Sequence, residues 1–150
     1  MSLQYLKIVY PELPPTSNRI YFRGTILRKE ARTYAENFAK YVAQKHLHEI
    51  SQMNPEGVFS LILHFYFDSL INETWNNPKV PESKRAKSRY KKIDLTNRIK
   101  LLEDCVRDAL DIDDSQTFCS FQRKIHAPNN SHVEIEVEEL SPSMFGLTEI

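Results

Sequence analysis

Four side chains in one stretch have the types and spacing for phosphate chemistry. In residues 91–116, KKIDLTNRIKLLEDCVRDALDIDDSQ, Asp94 heads a helix pattern, and Asp113 and Asp114 follow the helix end. Lys100 lies about one and a half turns beyond Asp94. Carboxylates brought close together repel and raise each other's pKa, and a hard divalent cation such as Mg2+ or Mn2+ is the usual resolution. Such a cation polarises a phosphodiester and makes hydroxide from bound water, while a nearby lysine offsets charge on the phosphoryl oxygens. Each residue also has a plain structural use. Aspartate is a favoured N-cap, worth about 1 kcal/mol, and aspartates suit the turn after a helix. Lys100 is spaced to pair with Asp104 on the same helix face.

The charge pattern around this stretch favours the chemical reading. The chain of 150 residues has a net charge of zero, but it is unevenly spread. Residues 1–78 carry 8 Lys/Arg against 7 Asp/Glu, residues 79–100 carry 9 against 2, and residues 101–150 carry 3 against 11. A basic segment beside an acidic one suits a protein that grips phosphates and also holds a cation. Lys84, Arg85, Lys87, Arg89, Lys91 and Lys92 are the candidate nucleic-acid-binding residues of the basic segment, and Trp75 and Tyr90 add rings able to stack on unpaired bases. A solvated lysine-rich loop is the plainer reading of the same composition.

The elements that must position these residues can be read from periodicity. Residues 3–10 read as a strand stopped by Pro11, and the proline-rich stretch up to Gly24 as a shaped loop ending in a short extended piece at 20–26. Ala31, Tyr34, Ala35, Phe38, Tyr41 and Val42 recur at helical spacing within residues 28–50. His46 and His48, two apart on that helix, point to different faces and are poor joint ligands. Residues 58–68 are apolar on both sides of a strand and should be the most buried. Residues 69–92 have no period and read as a long mobile loop. Leu95, Ile99, Leu102, Val106, Ala109 and Leu110 give the second helix a continuous stripe.

Residues 117–126 read as a strand, 128–131 as a hairpin turn, and 132–139 as an edge-like strand with Val133, Ile135 and Val137 inward. The tail 141–150 reads as loosely ordered. The order βαβαββ predicts one α+β domain over 1–150, in two layers, with both helices on one face of a small mixed sheet. The two cysteines, Cys105 and Cys119, lack ligand spacing and fit reduced thiols of a cytoplasmic protein. No apolar run is long enough for a membrane span, and the N-terminus lacks a signal-peptide pattern.

The joint order of these pieces resembles the RusA-type Holliday junction resolvases, the crossover junction endodeoxyribonucleases. LPPTSNRIY is similar to that family's proline-proline-serine-asparagine loop. IDLTNRIKLLEDCVRDAL followed by DIDDSQ is similar to its aspartate-leucine-aspartate-asparagine, lysine, aspartate-alanine-leucine and aspartate-aspartate-x-glutamine series. The resemblance implies a Mg2+-dependent (or Mn2+-dependent) endonuclease with Asp94 and Asp114 as metal-binding aspartates and Lys100 as the lysine needed for cleavage. Asp113, and Thr96 through a water, are further candidate ligands, with Asn97, Asp104 and Lys124 in support. Thr96 departs from the family pattern, which has a second catalytic aspartate there. The resemblance also implies a homodimer whose two sites cut opposite strands of a four-way DNA junction, as two-fold symmetry requires. Two other readings are a branched-DNA-binding protein that has lost cleavage through Thr96, and an α+β interaction module with a disordered basic loop.

Overall fold

Five large apolar side chains on one side of a strand need a layer to cover them, and the two amphipathic helices supply it. The computed structural model describes residues 3–16, 21–22 and 26–147. Its elements are β1 (Tyr5–Tyr10), β2 (Tyr21–Phe22), β3 (Ile26–Leu27), α1 (Lys29–Ser51), β4 (Val58–Phe67), α2 (Thr96–Leu110), β5 (Thr117–His126) and β6 (His132–Leu140). The four long strands form one mixed sheet in the order β1-β6-β4-β5, and β2 and β3 form a separate two-stranded ribbon. The α+β architecture expected from the element order is present. Of the proline loop expected to be shaped, Pro14 and Pro15 are described, while Ser17 and Asn18 lie outside the described residues, as do 148–150 of the tail.

The core lies between the sheet and the helices. Phe59, Leu61, Leu63 and Phe65 of β4 are buried with Leu6 and Ile8 of β1 and Val133, Ile135 and Val137 of β6. From the helical layer, Phe38 and Val42 of α1 and Leu101, Leu102 and Val106 of α2 join the same cluster. Tyr10 meets Tyr34 and Phe38 edge-on, with ring centroids 5.5 and 5.1 Å apart, which locks α1 to β1. The most buried strand is indeed the one at 58–67.

The strand pairing corrects one expectation. Residues 128–131 are not a hairpin turn, and β6 is not an edge. β6 runs antiparallel to both β1 and β4, whereas β5 pairs parallel with β4 and forms the edge. The connection from β5 to β6 therefore passes over the end of β4. Ala127 N–H donates to Phe67 O at 2.8 Å, Asn129 N–H to an Asp68 carboxylate oxygen at 2.5 Å, and Asp68 N–H to Ser131 Oγ at 3.0 Å. Asn129 takes the left-handed conformation this path needs, with φ 61°. The physical reason is burial: the slot between β1 and β4 puts the Val133, Ile135 and Val137 side of β6 under the helices, and an edge position would not.

The acidic side of β6 does not simply face water either. On the face away from the helices, Arg123 Nε donates to His64 Nδ1 (2.7 Å), His64 Nε2 to Glu136 (2.5 Å), and Tyr5 Oη to the other Glu136 oxygen (2.7 Å). This chain crosses all four strands and fixes His64 as the Nε2–H tautomer. Glu134 is held by Lys7 and His132, each at 2.9 Å. Burial alone would raise the Glu134 pKa, but hydrogen bonds from His132, Lys7 and Tyr66 outweigh it and bring it from the ordinary 4.5 to about 2. Because the folded-state value is depressed, this stabilisation is complete above about pH 4.5 and lost as pH falls toward 2. Replacing Glu134 with Gln should therefore cost on the order of 2 kcal/mol near neutral pH and nothing near pH 2. Urea unfolding across that range checks this, and a pH-independent difference would refute it.

Candidate functional site

Asp94 comes immediately before the residue that caps α2. Leu95 is the N-cap and makes no side-chain cap bond, so the orphan donors of the first turn are met from outside the helix. Asp94 Oδ1 accepts from the Thr96 N–H at 2.9 Å and from the Thr96 hydroxyl at 2.7 Å. These two bonds, the hydroxyl first, hold the exposed Asp94 carboxyl below the usual range and keep it ionised. The expected capping role is thus real but one residue displaced, and it consumes the Thr96 proton as well.

Around Asp94 the chain assembles a cleft of about 370 Å³ lined by Leu13 and Thr16 of the proline-rich loop, Phe67 at the end of β4, Lys92, Ile93 and Arg98. The Arg98 guanidinium lies 5.3 Å from the Phe67 ring centroid, leaving its charge directed by an aromatic platform. Lys124, near the end of β5, donates to Ile93 O at 3.4 Å and so stands beside the same end of α2. Lys100 is exposed one turn along from Thr96, on the same helix face. Asn97 is half-buried in the first turn.

The other end of α2 is organised differently. Arg107 donates from Nη1 to Glu103 (3.1 Å), from Nη2 to Asp104 (2.8 Å) and from Nε to Asp114 (2.7 Å), with only 12% of its side chain exposed. Three carboxylates are thereby bridged by one guanidinium fork, which offsets part of their mutual repulsion. Asp111 turns the chain in the left-handed conformation (φ 56°, ψ 45°), which folds Asp114 back onto Arg107. Asp113 caps the 3-10 turn Asp114–Gln116 in a capping box with Gln116. Gln116 Nε2 also donates to Pro55 O and Gly57 O, each at 3.0 Å, clamping the turn between α1 and β4.

The structure therefore does not bring Asp94 and Asp114 together. A helix of 15 residues lies between them, a rise of about 22 Å. Among the described residues, no group of three His, Cys, Asp or Glu side chains could hold a metal ion. Near Asp94 the chain offers a single carboxylate and a neutral hydroxyl, so a hard octahedral cation there would take its remaining oxygens from water and a substrate phosphate. Asp94, with the Thr96 hydroxyl oriented beside it, is thus the group at this end of α2 able to hold part of the metal shell that the sequence pattern implies. A thiol nucleophile is also excluded at this helix, because burial, then Asp104 and Asp108, push Cys105 up to about 12.

The basic segment folds back on itself beside the cleft. Ile71 bridges Tyr90, Asn72 N–H donates to Arg89 O at 2.9 Å, and Lys91 N–H to Leu70 O at 2.9 Å, closing the base of the loop. Arg89 sits 5.8 Å from the Trp75 ring and 5.5 Å from that of Tyr90. Trp75 is thus half-committed to the loop, with 40% of it exposed. Arg85 is tied to Val80 O at 2.9 Å. Lys84, Lys87, Lys91 and Lys92 are exposed. Reading the sequence missed Arg98 and Arg107. The spacing of Arg107 to Glu103 and Asp104 was a usable signal, but its bond to Asp114 and the Arg98–Phe67 contact needed the fold.

A family model described as endodeoxyribonuclease RusA matches residues 12–138 of the 150-residue chain, from the proline-rich loop to the end of β6. No curated protein matches the chain.

Replacing Arg107 with Met should leave Glu103, Asp104 and Asp114 repelling one another and destabilise the fold by about 2 kcal/mol. The loss should shrink in 1 M salt, which screens the repulsion. An unchanged urea midpoint at low salt would refute the neutralising role.

Proposed function

The chain belongs to the RusA endodeoxyribonuclease family, and on that premise we propose that it is a structure-selective nuclease resolving four-way (Holliday) junctions in DNA recombination and repair. The observation that carries this reading is the cleft at the head of α2. It gathers an ionised carboxylate, Asp94, with the cations Lys92 and Arg98, against the proline-rich loop and the root of the basic segment. Lys124 stands beside the same helix end.

In this reading the side chains divide the work. Lys84, Arg85, Lys87, Arg89, Lys91 and Lys92 hold the DNA backbone, and Trp75 and Tyr90 offer faces for unpaired bases at the branch point. Lys92, Arg98 and Lys124 position the phosphate at the cleft by charge. Asp94 is the ionised group at the reacting end, oriented by Thr96, and Asn97 supports the turn. Lys100 offsets charge that develops on the phosphoryl oxygens. Mg2+ would be the cofactor, with Mn2+ as a substitute; Asp94 would hold it at this end of α2, and such an ion would supply Lewis-acid polarisation and an activated water. The protein acts as a homodimer, because paired nicks in a two-fold substrate need two related sites.

A second reading rests on the Thr96 hydroxyl, whose proton is engaged by Asp94 at 2.7 Å. With a neutral side chain there, the chain binds branched DNA and cuts it weakly or not at all.

An assay on a synthetic four-way junction with Mg2+ and Mn2+ separates the readings. Asp94→Asn should lower nicking by roughly a hundredfold or more while junction affinity changes little. Equal nicking by wild type and Asp94→Asn would sink the assignment. No product with either metal, tight binding, and cutting acquired on Thr96→Asp would establish the second reading. Replacing Lys84, Arg85 and Lys87 with Ala should weaken binding across all sequences and flatten its salt slope by about 0.9 for each phosphate that is no longer neutralised.

A further inference from the structure

The basic loop holds a shape of its own. Trp75 N–H donates to Asn72 O at 3.1 Å, Val80 N–H to Asn77 O at 3.1 Å and Lys84 N–H to Pro81 O at 2.8 Å, so one turn follows another. Ala86 N–H then closes back on Thr74 Oγ1 at 2.9 Å. These turns frame a pocket of about 270 Å³, room for one nucleobase, lined by Trp75, Asn76, Glu82, Arg85, Ala86 and Lys87. Trp75 gives it an aromatic surface that is 40% exposed, with Arg89 5.8 Å from the ring centroid. Any base can stack on such a surface.

Glu82 makes this more than a stacking site. Residues 79–92 carry 7 Lys/Arg and one acidic residue, Glu82. Among the described residues its carboxylate forms no ion pair with any of these cations; Arg85, the nearest of them along the turn, gives its Nε to Val80 O at 2.9 Å instead. A carboxylate repels phosphate, so a loop built only to hold a DNA backbone gains nothing from it. What a carboxylate does well is accept two hydrogen bonds side by side. The four bases differ in what their Watson–Crick edges offer it. Guanine presents two adjacent donors, N1–H and N2–H. Adenine and cytosine set an acceptor nitrogen beside their donor, and thymine holds its one donor between two carbonyls. Guanine alone meets a carboxylate without placing an acceptor against it. Asn76, in the left-handed conformation at φ 51°, brings an amide donor to the same pocket for guanine O6.

We propose that this pocket reads an unpaired guanine, which stacks on Trp75 and gives N1–H and N2–H to the Glu82 carboxylate, while Lys84 and Lys87 take the flanking phosphates. That the strand is DNA rests on the nuclease reading above; the base preference is measured without cleavage. The subsite gives the loop a sequence preference that its cations cannot supply, because phosphate contacts position a strand without reading it.

The chain has one tryptophan, so its intrinsic fluorescence reports on this pocket. The intact protein is titrated, in EDTA to prevent cutting, with oligothymidylates carrying one central guanine, hypoxanthine, 7-deazaguanine, adenine or cytosine. Guanine should quench Trp75 and bind roughly tenfold tighter than adenine, cytosine or the all-thymine strand. Hypoxanthine, which lacks the N2 amino group, should lose most of that advantage, and 7-deazaguanine, whose Watson–Crick edge is intact, should keep it. Glu82→Gln should abolish the preference for guanine over hypoxanthine, since an amide sets a donor where the carboxylate accepts twice. Equal affinity for all strands, unchanged fluorescence with guanine, a preference lost with 7-deazaguanine, or one that survives Glu82→Gln each overturns the subsite. The base analogues decide the matter on wild-type protein even where Glu82→Gln disturbs the loop. Nicking of a four-way junction with Mg2+ is scored separately. Nicking without guanine preference overturns the subsite and leaves the nuclease reading standing, whereas guanine preference without nicking removes cleavage and keeps the subsite.

Discussion

Two parallel neighbouring strands cannot be joined by a turn; the chain has to travel back the length of the sheet before the second strand starts. β4 and β5 are such a pair, and α2 is the return. Most of the molecule's functional layout follows from that one requirement. The residues just before the helix are delivered to the far end of the strands, beside Phe67 and Lys124, and the residues just after it to the near end, beside Pro55 and Gly57. A sequence motif that spans the return is split between two ends of the domain.

The two ends have opposite electrostatics. At the head of α2 a carboxylate stands among cations, with Thr96 as its hydrogen-bond partner among the described residues. At the tail, three carboxylates share one mostly buried guanidinium. The first arrangement leaves positive field over for a polyanion, whereas the second stays net acidic and leaves Asp114 85% exposed. The same acidic residues that look alike in the sequence therefore do different things: Asp94 stays open to a ligand, Asp113 builds a turn, and Asp114 completes an ion pair.

The open face of the sheet is held by a different device. Arg123, His64, Glu136 and Tyr5 form one hydrogen-bonded chain across four strands. That chain gives β6 its alternating glutamates without exposing a row of unpaired charge, and it lets β6 sit in the middle of the sheet. The helices meanwhile bury three strands and leave the fourth exposed, so that β5 is held by its pairing with β4 and by side-chain contacts such as Ser120 to Glu103 and Lys124 to Ile93 O.

Much of the domain was legible in the sequence because the cues are local. Helical spacing of Phe38 and Val42, and of Leu102 and Val106, marks α1 and α2. Alternation marks β4 and β6, and the ordered short motifs carry the family. Asp94 and the basic segment were singled out from residue type and position alone. The structure alone decided which strands are neighbours, since Pro128 to Ser131 looks the same locally whether the chain folds back on β5 or crosses the end of β4. It alone decided that Asp94 and Asp114 lie a helix length apart and that Arg107 already answers for Asp114. Periodicity reports which side of an element is buried; it does not report what that side is buried against. Distances between elements depend on how the layers close, and that is a property of the folded chain as a whole.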